Sequence, residues 1–424
     1  MDNLKLKAID YFAAKPHDDQ KAKVYLSGIY KEIHEILVNS TSYDLIFSAF
    51  EILEKFISHV ADDSIRDLVC CWQRLHKGGE LILGDSYFRK YHTKEKIYLK
   101  IISLLGRLRY IEQDQLTPIL FQFWRDDEST RGEVEKVFKE LSEFNLHAVE
   151  QIGFGPQLQL LDVIKQFSED EKFEHFSIMK STFSQFLSTD IERHNWNYRA
   201  VSIESMAIPA TEKIERLRND TVSCLINMYE HTGNIEYKKE LLTVMNNACR
   251  IWSRAEISEE AKLIVQKNSV DVLQFWSSII TNEPLELVQK LEHDAYWNYY
   301  HAPSQAVRDA ALSLETILNT HDEYQIYRDL VGFEGIFGSW EAESNLRSDY
   351  DNQRKLREER VKTHINSVSK DNIEEWINRI ELYLETDSRD LATFPELFKF
   401  VEVISNRFPK ELLLRLEKTT GLSK

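Results

Sequence analysis

Apolar residues recur at three- and four-residue intervals along most of this chain, and no other feature constrains its fold as much. Between 42 and 60, Leu45, Ile46, Ala49, Phe50, Leu53, Phe56, Ile57 and Val60 share one helical face, with Ser40, Thr41 and Ser42 as capping candidates before them. Segment 94–110 repeats the pattern with Ile97, Tyr98, Ile101, Ile102, Leu105 and Leu108. The same spacing predicts helices over about 130–150, 157–168, 171–187, 210–231, 235–253, 258–281, 284–300, 304–319, 341–367, 370–386 and 394–407. Only 13 glycines and 8 prolines punctuate 424 residues, too few for a β-rich chain of this length. The expected class is all-α.

One segment breaks the rhythm. In Asn195-Trp196-Asn197-Tyr198-Arg199-Ala200-Val201-Ser202-Ile203-Glu204 aromatic and β-branched residues come close to alternating, and Met206, Ile208 and Pro209 follow. That pattern predicts a short strand-like insert near 195–208. It marks the expected boundary between an N-terminal helical repeat unit, 1–194, and a C-terminal one, 209–424.

Four short segments echo one another, each placing an arginine after a residue of the helical face: Ile65-Arg66, Thr130-Arg131, Leu217-Arg218 and Val307-Arg308. The last is the fullest, and Ala306-Val307-Arg308-Asp309-Ala310-Ala311-Leu312-Ser313-Leu314 resembles the inner-helix pattern of HEAT repeats. The resemblance implies an α-solenoid of stacked helical hairpins, whose units bury their apolar faces only against one another. Arg218 and Arg308 lie about 90 residues apart, with Lys262 of a comparable stretch nearly midway, which suits two hairpins of about 45 residues. Spacing in the front half is less regular.

The second half also resembles the helical C-terminal regions of bacterial STAND-type NTPases. The carriers are Trp196–Ile203, Leu217-Arg218-Asn219-Asp220, Gly332–Trp340, Asp371-Asn372-Ile373-Glu374-Glu375-Trp376 and Ala392-Thr393-Phe394-Pro395. Such regions act as sensor arms, often in phage defence. The sequence departs from that pattern in having no NTPase core. It is expected to be either a piece of a longer protein or a free-standing relative whose enzyme lies on another chain.

Charge narrows the partners. Lysines and arginines total 53 against 70 acids, a net charge of −17, which opposes a phosphate backbone as principal ligand. The cation-rich stretch 354–362 interleaves acids at helical spacing and is expected to be a solvated face. No run is apolar for long enough to span a bilayer, and the first residues lack a signal-peptide core. Cys70, Cys71, Cys224 and Cys249 have no metal-ligand spacing, so free thiols in a reducing cytoplasm are expected.

Motifs that carry chemistry are few. His76-Lys77-Gly78-Gly79-Glu80 and Gly153-Phe154-Gly155-Pro156 lack the Gly-Lys-Ser/Thr ending of a phosphate loop, and the first is expected to stop a helix. His293-Asp294 and His301 stand about two turns apart, too far to share one metal ion unaided. Asp190-Ile191-Glu192-Arg193-His194 is an ionisable cluster of the kind any acidic chain contains. No catalytic residue, cofactor or metal is therefore assigned.

Two aromatic clusters remain. Tyr296-Trp297-Asn298-Tyr299-Tyr300-His301 must turn some rings inward, and Gly332–Trp340 spaces glycines between bulky residues as a compact loop would. Their candidate partner-binding residues are Trp297, Tyr299, Tyr300, Phe333, Phe337 and Trp340. The expected function is a non-catalytic scaffold or sensor that binds a protein. The alternatives are a constitutive regulatory subunit of a separate NTPase or nuclease, and an enzyme whose site is assembled from distant repeats.

Overall fold

The computed structural model describes residues 3–418 apart from 17, 84–90, 197–200, 252, 332–339, 341–349 and 386–393. The chain divides into two compact units, 1–224 with 252–257, and 225–251 with 258–424. Among the described residues the structure is all-α except for one two-stranded hairpin.

The first unit opens with α1 (Asn3–Ala13), α2 (Gln20–Asn39), α3 (Tyr43–Leu53), α4 (Ala61–His76) and α5 (Lys94–Gly106). It continues with α6 (Gln113–Asp126), α7 (Arg131–Ser142), α8 (Leu146–Ile152), α9 (Gly155–Ile164), α10 (Glu169–Glu174) and α11 (Phe176–Phe186). Many helices pack on the next and on the next but one: α2 on α3 and α4, α3 on α5, α5 on α7, and α7 on α9. α3 buries Ile46, Ala49, Phe50 and Leu53 of its expected stripe, together with Tyr43, whereas Leu45 is 53% exposed. Ser42 accepts a hydrogen bond from the Leu45 amide and starts that helix. In α4, Asp62 and Asp63 lie in the first turn and Arg74 and His76 in the last, matching the helix dipole. It ends as expected at Gly78, whose φ of 100° favours glycine, with the Gly79 amide bonded to the Arg74 carbonyl. Gly106 is needed for closeness, since a Cβ there would meet Val137 Cγ2 at 2.9 Å.

Segment 42–60 keeps its α-helix only to Leu53, with a 3-10 turn over Ile57–Val60, and two further predicted helices are each split in two. Segment 130–150 breaks where Asn145 caps α8, its side chain accepting from the Ala148 amide at 3.3 Å. Segment 171–187 breaks at His175, between α10 and α11. Neither break carries a glycine or proline, so local composition conceals both.

The strand-like insert begins earlier than the sequence pattern suggests. β1 (Asp190–Trp196) pairs antiparallel with β2 (Val201–Ala207), from Asp190 opposite Ala207 to Trp196 opposite Val201. The ionisable cluster 190–194 is thus the first arm of a hairpin. Its one apolar member, Ile191, is fully buried, while Arg193 bonds Glu204 across the strands. A single inward isoleucine among charges gives no alternating apolar signal, which is why β1 is missed. The hairpin lies inside the first unit, and the division between units falls within α12 (Glu212–His231).

The second unit continues with α13 (Ile235–Ala248), α14 (Glu259–Ile279), α15 (Leu285–Tyr300), α16 (Gln305–Leu318) and α17 (Asp322–Leu330). It ends with α18 (Tyr350–Ser367), α19 (Ile373–Leu384), α20 (Pro395–Arg407) and α21 (Pro409–Lys418). Next and next-but-one packing recurs, with α13 on α14 and α15, α14 on α16, and α15 on α16 and α17. Two acids, Asp329 buried and Glu323 half-buried, tie later helices together. Asp329 of α17 accepts from His364 of α18 at 2.9 Å and from Arg360 at 3.3 Å, and Arg357 donates to its carbonyl. Glu323 accepts from Arg379 at 2.8 Å and from the Tyr383 hydroxyl at 2.5 Å, both on α19. Burial, with that carboxylate second, drives the Tyr383 phenol far above its ordinary range. Within the cation-rich stretch, Arg354 pairs with Glu358 one turn away, whereas Arg357 and Arg360 turn toward Asp329.

The four aliphatic-arginine echoes share only their buried half. Ile65, Thr130, Leu217 and Val307 are all buried. The arginines diverge. Arg66 is exposed and pairs with Asp63 and Asp67, and Arg131 lies over the Trp124 ring at 4.5 Å. Arg308 lies over Tyr299 at 5.3 Å. Arg218 alone is fully buried, donating to the Leu187 carbonyl at 2.6 Å and the Ser188 carbonyl at 3.3 Å, which anchors the turn before β1. Removing it leaves those carbonyls dry and unsatisfied. Arg218→Ala is therefore expected to lower unfolding free energy by about 3 kcal/mol, and Arg66→Ala by less than about 1 kcal/mol. Parallel chemical denaturation of the two variants checks the contrast.

Candidate functional site

An α-helix turns about 100° per residue, so Tyr296–His301 cannot present every ring to one side. In α15 the split is clear. Tyr296 and Tyr299 are buried, while Trp297 and Tyr300 are 38% and 48% exposed. The exposed rings, with His293 and His301, form a continuous edge. Trp297 stacks on His301 at 5.1 Å with planes 4° apart, and Tyr300 stands edge-on to His301 at 4.9 Å. His293 meets Trp297 at 6.3 Å.

Of the six candidate residues, the structure therefore separates two from two. Trp297 and Tyr300 reach solvent. Tyr299 and Trp340 are core: Trp340 is 2% exposed, its ring 5.7 Å from both Tyr296 and Tyr299, and its amide donates to Glu315 at 2.6 Å. Phe333 and Phe337, with the rest of the Gly332–Ser339 loop, lie outside the described residues.

Behind the edge, α15 is held to α13 by a buried polar latch. Asn246 donates to the Asp294 carboxylate at 2.6 Å, and Asn298 donates to Asn246 at 3.1 Å and to the Asp294 carbonyl at 2.8 Å. Lys290 approaches the other Asp294 oxygen at 3.3 Å. Burial pushes the Asp294 carboxyl above its ordinary value, although Lys290, His293 and Arg250 pull the other way. In the linear sequence Asp294 stands out only as the neighbour of His293. No group of three His, Cys, Asp or Glu among the described residues is placed to hold a metal ion. The four cysteines are free thiols, and burial raises the Cys71 thiol to about 11.

In the first unit an open cleft of about 600 Å³ is lined by Arg109, Tyr110, Ile111, Asn145, His147 and Gln151, among others. Its cation is already engaged. Arg109 donates to the Gly106 carbonyl at 2.7 Å, lies 3.3 Å from Glu140 and covers the Tyr110 ring. The cleft contains none of the candidate residues.

The latch has a pH signature. A carboxyl raised on folding adds stability below its unfolded value near 4 and loses that contribution as pH climbs through the folded value. Asp294→Asn keeps an acceptor for Asn246 and does not ionise. Its melting temperature relative to the parent is expected to rise as pH goes from about 4 to about 7; calorimetry across that range gives the sign directly. Comparison with known protein families and with curated proteins finds none that matches this chain.

Proposed function

We propose that the chain is a non-catalytic helical-repeat scaffold or sensor that binds a protein partner, with Trp297 and Tyr300 among the contact residues. The observation that carries this reading is the pairing of exposed rings with a rigid support. Large amphipathic rings on a fixed backbone lose little entropy on binding, which is the property of interface hot spots. The Asn246–Asp294–Asn298 latch supplies the fixed backbone.

The next and next-but-one packing within each unit supports a HEAT-like solenoid of stacked hairpins. A role as the sensor arm of a bacterial stress or phage-defence system, as in STAND-type proteins, extends that proposal. The net charge of −17 favours a protein over nucleic acid as partner. No helix among the described residues is long and apolar enough to cross a membrane, and a cytoplasmic setting belongs to the same proposal.

The test is affinity capture from the native host, with and without stress, comparing the parent with a Trp297→Ala/Tyr300→Ala variant. A stoichiometric partner is expected, lost by about 30-fold or more in the variant while its far-ultraviolet dichroism and melting temperature are kept. Capture without stress would mark a constitutive subunit rather than a sensor. A partner held equally by parent and variant would remove the aromatic edge from the interface.

A further inference from the structure

We propose that His175 is a pH-sensitive joint between α10 and α11, closed while its imidazole is neutral and opened by protonation. The ring is 1% exposed and lies among aromatic neighbours, with centroids 4.8 Å from Phe121, 4.9 Å from Trp124 and 6.2 Å from Phe167. Neither ring nitrogen reaches a hydrogen-bond partner in the protein. Buried histidines ordinarily satisfy at least one nitrogen, so the pair is an exception with a physical consequence. A proton on this ring would place a charge where ring faces replace only part of its hydration.

The surrounding charges do not rescue it. The nearest acid is Glu174, 3.9 Å from Nε2 and on the exposed rim, where Arg125 of α6 already pairs with it at 2.9 Å. From α10, Glu171 is engaged in capping Ser168, and Lys172 bonds Glu169. From α7, Glu135 accepts from the Trp124 indole and the Ser177 hydroxyl. Burial, the leading cause, moves the His175 imidazole below its ordinary value, with Arg125 adding to it and Glu174 and Glu171 opposing.

The location makes the cost local. His175 occupies the one-residue break between the helices, and α10 is only six residues long. Driving the ring outward uncovers Phe121 and Phe167 and releases α10 without unwinding the long helices. The sign follows from linkage. Because the folded value is depressed, the stabilisation is fully present above the unfolded value near 6.5 and is lost as pH falls toward the folded value. Between those two values the opening constant rises by about tenfold per pH unit.

The test is hydrogen exchange read by mass spectrometry on segment 165–180 of the full chain, from about pH 7.5 to about pH 5 and corrected for intrinsic rates. Parent protein is expected to show the acid-driven opening, and His175→Phe and His175→Leu to lack it. Slow exchange of the histidine C2 proton in the parent reads the titration without any substitution and decides the matter should both variants fold poorly. The expected midpoint lies below 6.5, with strongly retarded exchange. An ordinary midpoint with fast exchange, or the same acid response in folded variants, would overturn the proposal.

Discussion

Burial of one apolar stripe per helix against its next and next-but-one neighbours is the constraint on which the rest of the structure depends. A helix such as α3 or α5 is too short to persist alone, so its stability comes from the neighbours that cover Phe50 and Leu53, or Ile101 and Leu105. Closeness then becomes a requirement, visible at Gly106, where α5 approaches Val137 of α7. It also means that every polar group caught on a buried stripe must find a partner across a helix contact.

Most of them do, and those partners give each helix pair its register. Asp67 takes the Tyr30 hydroxyl and His34, Arg218 takes two carbonyls before β1, Asp329 gathers α18, and Asp294 gathers two asparagines. Such buried polar contacts add little net stability but are expensive to misplace, so they select one alignment of the helices. His175 is among the buried polar side chains without such a partner, and both of its ring nitrogens lack one. The same physics thus supplies a rigid latch behind the aromatic edge and a weak joint between α10 and α11.

The aromatic edge shows how little of a surface a linear pattern reveals. Six neighbouring residues, 296–301, are nearly all aromatic, and composition treats them alike. The helical rotation sends Tyr296 and Tyr299 toward Trp340 and leaves Trp297, Tyr300 and His301 outside. The periodicity alone separates inward from outward only once the phase of α15 is known, and that phase is set by Asn246, 48 residues away in sequence from Asp294.

Helix class, most of the buried stripes of α3 and α5, and the extents of α14–α16 were legible from spacing, because apolar periodicity is a local property of the chain. The start of β1 was not, since Ile191 is the one apolar residue of 190–194, and neither were the breaks at Asn145 and His175, which carry no glycine or proline. What the sequence determined by itself was the kind of element and which face it must hide. Only the tertiary structure decided that Arg218 is buried while Arg66 is not, that Trp297 and Tyr300 face out, and that Asn246, Asp294 and Asn298 meet. These depend on which helix covers which stripe, and that is settled by packing between residues dozens of positions apart rather than by any neighbour in the chain.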